Sequence, residues 1–419
     1  MSDINHLINA LNLAKGNSKE SVLATVVKVE GSAYRRPGAR MLISQYGGTQ
    51  GTISGGCLEA DVAKKAWWHT EQKPNVLCYN TAVDDDETGY ERNETSSDSP
   101  SIELFPNRHN INLEFGLGCN GKVYVLLERL PHHSQSPLLS LLEQVHQQGA
   151  GGVAATVIGL HPCTTSISIG DRVTLAPDGT VNSSIQHTEL DRYIRQQLST
   201  SLQQQRSANY TFEIDDSPTN KATVEIFFDY IKPVQKLVIF GAGDDVKPLV
   251  SMAKLMNMHV TVIDSRAHYA RKERFPDADR IIHSSIETQF PFSADIKDSY
   301  VTVMTHSLTQ DKHWLSGALL SSARYIGQLG PRYRTEKLLE EIEEGASASE
   351  TTILRHNRYK LHYPIGIKLD ASTPESIAVS ICAQLVNAMS QPSQSLHKTD
   401  IGGGHNQESD EDVTIYIEE

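Results

Sequence analysis

The run Lys236-Leu237-Val238-Ile239-Phe240-Gly241-Ala242-Gly243-Asp244-Asp245-Val246, with Val260-Thr261-Val262-Ile263-Asp264 further along, decides how the second half of the chain is read. A short apolar strand ends in Gly-x-Gly, and a helix follows to about Asn257. This is the opening of a dinucleotide fingerprint. The first glycine, Gly241, permits the tight turn, and the second, Gly243, lets backbone N–H groups and the helix N-terminus approach a phosphate. Asp264 closes the next strand about 20 residues on, where a carboxylate can accept hydrogen bonds from a ribose. Val246 stands where a third glycine would complete the pattern, and Asp244 and Asp245 bring negative charge to the helix start. Further strands are predicted at Arg280–Ile282, Tyr300–Met304 and Arg324–Gly327, separated by helical stretches. The last helix covers about 374–389, with Thr373 as cap and Pro374 in its first position. Strands alternating with helices predict a parallel sheet covered on both faces, a Rossmann-like domain over residues 233–390. The crevice of such a domain either binds a nucleotide or phosphate, or stays empty in a scaffold used for packing and assembly.

Two more clusters follow predicted strands of this half, at the sheet edge where ligands bind. Met304-Thr305-His306 is one, with Asp311 beyond it. His306 either faces a ligand or is held within its own loop, capping the next helix with Asp311. Gly330-Pro331-Arg332-Tyr333-Arg334 is the other. Arg332 has the forked donors that bind phosphate, and the alternative is a surface charge.

The first half reads as an α+β region in two passes, residues 1–130 and then an extension over 131–232. Strands are predicted at Val22–Val29, Arg40–Ser44, Val76–Asn80, Val123–Glu128 and Val153–Leu160, with Gln50–Ile53 folding back on Arg40–Ser44 as a hairpin. Gly31-Ser32-Ala33-Tyr34-Arg35-Arg36-Pro37-Gly38-Ala39 joins two of these strands. Small residues give backbone access, and Arg35 and Arg36 supply forked donors, which suits anion recognition; a basic surface turn is the alternative. Ser54-Gly55-Gly56-Cys57-Leu58-Glu59 leads into a helix. The positive end of a helix favours thiolate over thiol. Gly55 and Gly56 let a bulky ligand approach Cys57, and thiolate suits a soft metal centre. Glu59 is a candidate proton carrier. Gly116-Leu117-Gly118-Cys119-Asn120-Gly121 repeats the pattern of a cysteine among glycines. For both Cys57 and Cys119 a buried, inert thiol is the competing reading. Within the acidic stretch 82–113, residues 82–100 read as a solvated loop, and 391–419 as a disordered tail.

Of 419 residues, 38 are Lys or Arg and 51 are Asp or Glu, a net charge of −13. That balance excludes a general nucleic-acid binder and a surface drawn to anionic lipid. No apolar run is long enough to span a bilayer, and the start Met1-Ser2-Asp3-Ile4-Asn5-His6 has no signal-peptide pattern, so the cytoplasm is the default address. Five cysteines without a Cys-x-x-Cys pair predict neither a disulfide framework nor a structural zinc site.

Taken together, Gly31-Ser32, Arg36-Pro37-Gly38-Ala39-Arg40-Met41, Gly51-Thr52-Ile53-Ser54-Gly55-Gly56-Cys57-Leu58-Glu59 and Gly116-Leu117-Gly118-Cys119-Asn120-Gly121 resemble the N-terminal domain of the XdhC/CoxI family, accessory factors of xanthine dehydrogenase and related molybdenum hydroxylases. Gly241-Ala242-Gly243, Val260 to Arg266, Met304-Thr305-His306, Asp311, Tyr325 to Gly330 and Pro364-Ile365-Gly366 resemble that family's Rossmann domain. The resemblance implies a homodimer that binds molybdenum cofactor and hands it to a hydroxylase apoenzyme, after sulfuration of the metal by a cysteine desulfurase. On that reading Cys57, with Cys119 second, is the candidate molybdenum ligand, and the glycine turn and arginines hold the phosphate or nucleotide end. Two other functions compete: an NAD-dependent oxidoreductase, for which Gly241, Gly243 and Asp264 speak, and a scaffold without turnover.

Overall fold

The computed structural model describes residues 19–45, 48–80, 121–131, 136–162, 164, 166–217 and 220–390, with short stretches at 7–8, 10–11, 110–112 and 413–416. The chain divides into two compact units, residues 1–233 with 406–419, and residues 234–405.

The first unit holds two six-stranded sheets. The first is built from β1 (Ser21–Gly31), β2 (Arg40–Ser44), β3 (Thr49–Gly51), β4 (Asn75–Asn80), β5 (Asn110–Asn112) and β6 (Gly121–Leu130) in the order β3-β2-β1-β6-β4-β5. Only the β4–β5 pair is parallel. Side chains alternate along β1, as period two requires. Val22, Ala24 and Val26 join the cluster under helix α1 (Glu59–His69), through Val62 and Ala66, while Leu23 joins a different core. After a bulge at Val26/Lys28, Val27 faces Tyr124, Ile158 and Phe227.

The second sheet follows helix α2 (Pro137–Gln148) and comprises β7 (Gly152–His161), β8 (Arg172–Leu175), β9 (Val181–Ser183), β10 (Ala208–Ser217) and β11 (Asn220–Ile231). Helix α3 (Thr188–Gln204) covers it through Leu190, Ile194 and Leu198, on the i, i+4, i+8 spacing of an amphipathic helix. The sixth strand is Val413–Tyr416, which pairs in parallel with β10. A stretch of the expected disordered tail is therefore strand, because Val413 to Tyr416 offers β-branched and aromatic residues to the edge of β10. The rest of 391–419 lies outside the described residues.

Among the described residues, three ion pairs cross between the two sheets. Lys28 on β1 meets Glu225 on β11 at 2.9 Å, Arg40 on β2 meets Asp229 on β11, and Glu128 on β6 meets Arg172 on β8. All six side chains are buried or nearly so, so their charges are compensated inside the protein rather than by water.

The second unit is a six-stranded sheet, parallel throughout: β12 (Lys236–Phe240), β13 (His259–Asp264), β14 (Arg280–His283), β15 (Tyr300–Val303), β16 (Tyr325–Gln328) and β17 (Leu361–His362). Their order is β14-β13-β12-β15-β16-β17, the doubly wound order with its reversal between β12 and β15. Helix α4 (Val246–Leu255) and the long last helix (Pro374–Ser390) pack with Leu237 and Ile239 on one face. Helices α5 (Leu308–Leu319), α6 (Arg332–Glu344) and α7 (Ala348–Asn357) pack with Val238 and Phe240 on the other. The last helix, α8, starts at the predicted proline, and Thr373 Oγ1 accepts the Ser376 N–H as the cap. β17 had no sequence signal: two residues are too few for periodicity.

Glu128→Ala strips the counter-charge from buried Arg172. It is expected to cost about 3–5 kcal/mol in urea denaturation, and Glu128→Ala/Arg172→Met to recover most of that.

Candidate functional site

In the first unit the cysteine turn is held by its own side chains. Ser54 Oγ accepts the N–H groups of Gly56, Cys57 and Leu58 at 3.2, 3.1 and 3.1 Å, and so satisfies amides ahead of α1. The Ser54 hydroxyl donates in turn to Glu59 Oε2. Glu59 Oε1 accepts from the Thr52 hydroxyl and from the Ile53 and Ser54 N–H groups at 3.2 and 2.9 Å. Partial burial works to raise the Glu59 pKa, but the hydrogen bonds from Ser54 and Thr52 outweigh it and hold the carboxyl at about 2. This corrects the expectation of a proton carrier: Glu59 is ionised at neutral pH and braces the turn.

The brace leaves Gly55, Gly56 and Cys57 exposed. Gly56 has φ +110°, which side-chain-bearing residues rarely adopt, and the space around it is open. Gly55 lies against the Tyr34 ring, whose nearest carbon is 3.4 Å from where a Cβ would stand. The 31–39 loop and the cysteine turn therefore meet. Tyr34 is 72 % exposed, the Arg35 guanidinium stands 5.9 Å from its ring, and Arg35 Nε is buried with no hydrogen-bond partner. Arg36 is exposed on the same loop. Arg40, at the loop's foot, bonds Gly38 O at 3.2 Å while it pairs with Asp229. Cys119 lies outside the described residues, as does most of 82–113.

In the second unit Gly241, at φ +123°, passes so close to β15 that a Cβ would stand 2.3 Å from Met304 O. Gly243 has the Asp245 carboxylate folded over it, and Asp245 accepts a hydrogen bond from His306 Nε2 at 2.9 Å. Gly241, Gly243 and His306 are thus together at the β12/β15 reversal. His306, at φ +58°, reaches the glycine turn rather than Asp311. Asp311 is buried and accepts from Thr305, Gln328 and Arg334, tying the ends of β15 and β16 to α6. Arg334 fills that role. Arg332 stays exposed, 3.8 Å from Glu336 and 5.3 Å from the Tyr363 ring.

Asp264 departs from its expected part. It is fully buried, and its carboxylate accepts from Ala242 N–H, Arg266 N–H, Arg266 Nε and Arg266 Nη2 at 2.7–2.9 Å. Burial opposes the charge, yet the bonds from Arg266 and Ala242 lower the pKa. A ribose hydroxyl finds no acceptor here, because Asp264 spends its oxygens on fixing the glycine turn to β13. Sequence reasoning missed Tyr34, Ser54, Asp245, Arg266, Tyr269 and Arg274. Arg266 had a signal, two residues past Asp264; the others depend on contacts between separated segments.

The XdhC and CoxI family matches residues 16–80, and the XdhC Rossmann domain matches residues 237–385. The chain belongs to the XdhC and CoxI family. A protein of Bacillus subtilis, named as a probable xanthine dehydrogenase subunit, is 27% identical over 371 residues, 88% of this chain and 93% of the relative. The molybdenum cofactor insertion chaperone PaoD of Escherichia coli is 23% identical over 377 residues, covering 88% and 84%. A crystal structure described as a xanthine dehydrogenase from Bacillus halodurans matches with TM-score 0.64 and 29% identity, over 94% of this chain and 98% of that one. Among the described residues no group of three or more His, Cys, Asp or Glu could hold a metal ion, and no helix is long and apolar enough to cross a membrane.

Two outcomes follow. In the native protein, iodoacetamide followed by peptide mass spectrometry should label Cys57 and leave buried Cys78 and Cys382 unmodified. Glu59→Gln should lower the thermal midpoint at neutral pH. Because the folded Glu59 pKa is depressed from 4.5 to about 2, the gap to the parent should persist above pH 4.5 and close as pH falls through that interval.

Proposed function

We propose that the protein is an accessory factor that holds molybdenum cofactor as cargo and delivers it to a molybdenum hydroxylase of the xanthine dehydrogenase type. The observation that carries this reading is the braced turn presenting Cys57, exposed, beside Tyr34 and Arg35. The cargo is a pterin whose fused pyran ring carries both the two sulfurs that hold the metal and a phosphate group. A soft thiolate suits the metal, an exposed tyrosine ring suits the pterin face, and a guanidinium suits the phosphate. Cys119 is a second candidate for the metal. The named roles of the relatives support the reading: one carries the name of a xanthine dehydrogenase component, another that of a molybdenum cofactor insertion chaperone. A homodimer, and sulfuration of the metal by a cysteine desulfurase before delivery, belong to the same proposal.

The second unit adds a nucleotide or phosphate crevice at the β12/β15 reversal, with Gly241, Gly243 and His306 on its walls, and Arg332, exposed at the start of α6, is a further phosphate candidate. An NAD-dependent oxidoreductase remains the competing enzyme, but the ribose acceptor that favoured it, Asp264, is already filled.

The test is metal content of protein purified from cells making the cofactor. Cys57→Ala should fall several-fold in bound molybdenum at an unchanged thermal midpoint, and Tyr34→Ala should fall as well. Full molybdenum stoichiometry in Cys57→Ala and Cys119→Ala alike would remove the thiolate from the reading.

A further inference from the structure

We infer that the crevice of the second unit selects a ligand bearing a phosphate where an NAD-type ligand bears a free ribose hydroxyl, and that Arg266 and Arg274, aligned on Tyr269, hold that phosphate. The inference rests on the reading of this crevice as a nucleotide site and specifies what the site accepts.

A carboxylate has two oxygens and about four lone-pair sites. In Asp264 all are taken: Oδ1 by Arg266 N–H and Nε at 2.8 and 2.9 Å, Oδ2 by Ala242 N–H and Arg266 Nη2 at 2.7 and 2.8 Å. The side chain has no exposed surface. A ribose diol donates its hydroxyls, and its usual acceptor at the end of this strand cannot receive them.

What the same place offers instead is donors. Arg266 spends one edge of its fork on Asp264 and keeps its Nη1 edge, with 34% of its side chain exposed. Its guanidinium stacks 3.8 Å from the Tyr269 ring centroid, and that of Arg274 lies 4.7 Å from the same ring. One ring thus fixes two cations that are eight positions apart in the chain. Arg274 Nη2 bonds Ala242 O at 3.3 Å, which places it at the glycine turn, and Arg274 Nε is buried with no hydrogen-bond partner. Asp244, which pairs with Arg274 at 3.0 Å, is 74% exposed and is shared with Lys247 at 2.7 Å. An exposed ion pair of this kind is worth little and yields to a phosphate dianion, which takes two forked donors at once. The glycine turn is the less receptive place, because the Asp245 carboxylate lies over Gly243. Negative charge on the ligand is therefore received at the β13 end of the crevice.

The experiment titrates the full-length protein with NADPH and with NADH, following nucleotide fluorescence. NADPH should bind at least about 10-fold more tightly, the scale of one charge-assisted contact. Arg274→Ala should weaken NADPH by about the same factor and narrow the gap to NADH. Arg266→Ala, which reopens the Asp264 oxygens, should shift the preference toward NADH. Arg266 also braces Asp264, so Arg274→Ala, which leaves the Asp264 bonds in place, is the deciding variant, with the thermal midpoint of each recorded. Equal affinities, or tighter NADH, would overturn this inference and leave the nucleotide reading standing. Binding of neither would overturn the nucleotide reading, and this inference with it.

Discussion

The ion pairs between the two sheets of the first unit are the constraint on which its site depends. Lys28–Glu225, Arg40–Asp229 and Glu128–Arg172 lock one sheet onto the other with charges that water does not reach. Removing one partner of such a pair is costly, whereas replacing both by apolar groups often is not, so the pairs act more as registration than as net stabilisation. Arg40 shows why registration matters. The same guanidinium that answers Asp229 bonds Gly38 O, at the foot of the loop carrying Tyr34, Arg35 and Arg36. The second sheet thereby sets where the loop of the first begins. That gives the 131–232 extension a physical role, although none of its residues was a site candidate.

Both units use the same local device. A carboxylate beside a glycine-bearing turn is filled with hydrogen bonds from the chain around it: Glu59 by Thr52, Ile53 and Ser54 of its own segment, Asp264 by its neighbour Arg266 and by Ala242 of the glycine turn. In each case burial opposes the charge and the donors outweigh it. The consequence is a turn whose shape is fixed while the residues it presents stay open: Cys57 in one unit, the mouth of the glycine turn in the other. Glycine is needed where backbone must pass through forbidden space, as at Gly241 beneath Met304 O, and where a side chain would bend the turn, as at Gly56. A carboxylate at such a position looks from sequence like an acid or a ligand contact, and becomes a brace once its donors are counted.

Much of the fold could be read in advance. The strands of the second unit other than β17 lie within a residue or two of their predicted ends, because short apolar runs bounded by Gly, Asp and Pro leave few other conformations. The glycine turn and the cysteine turn were legible for the same reason, since each is a pattern inside one segment, whereas the exposure of Cys57 was left open against a buried thiol. The sequence left His306 open between facing a ligand and being held in its own loop, and its partner Asp245 was not legible, since the two are brought together only by β12 and β15 lying side by side. Between the two arginines of one motif, the choice of Arg334 over Arg332 for Asp311 turns on which side of α6 faces the sheet.

The sequence by itself determined the doubly wound sheet, the cysteine turn and the family, because these rest on periodicity and on residue types at fixed local spacing. Tertiary structure alone decided what the charged residues do. Asp264 and Glu59 were read as groups that meet a ligand and are instead occupied by their own chain, while Tyr34 and Arg274, which carried no signal of their own, and Arg266, legible only by its place after Asp264, stand beside the two turns. The physical reason is that a hydrogen bond or ion pair is satisfied by whichever donor arrives in three dimensions, and the order of residues along a chain does not record which one that is.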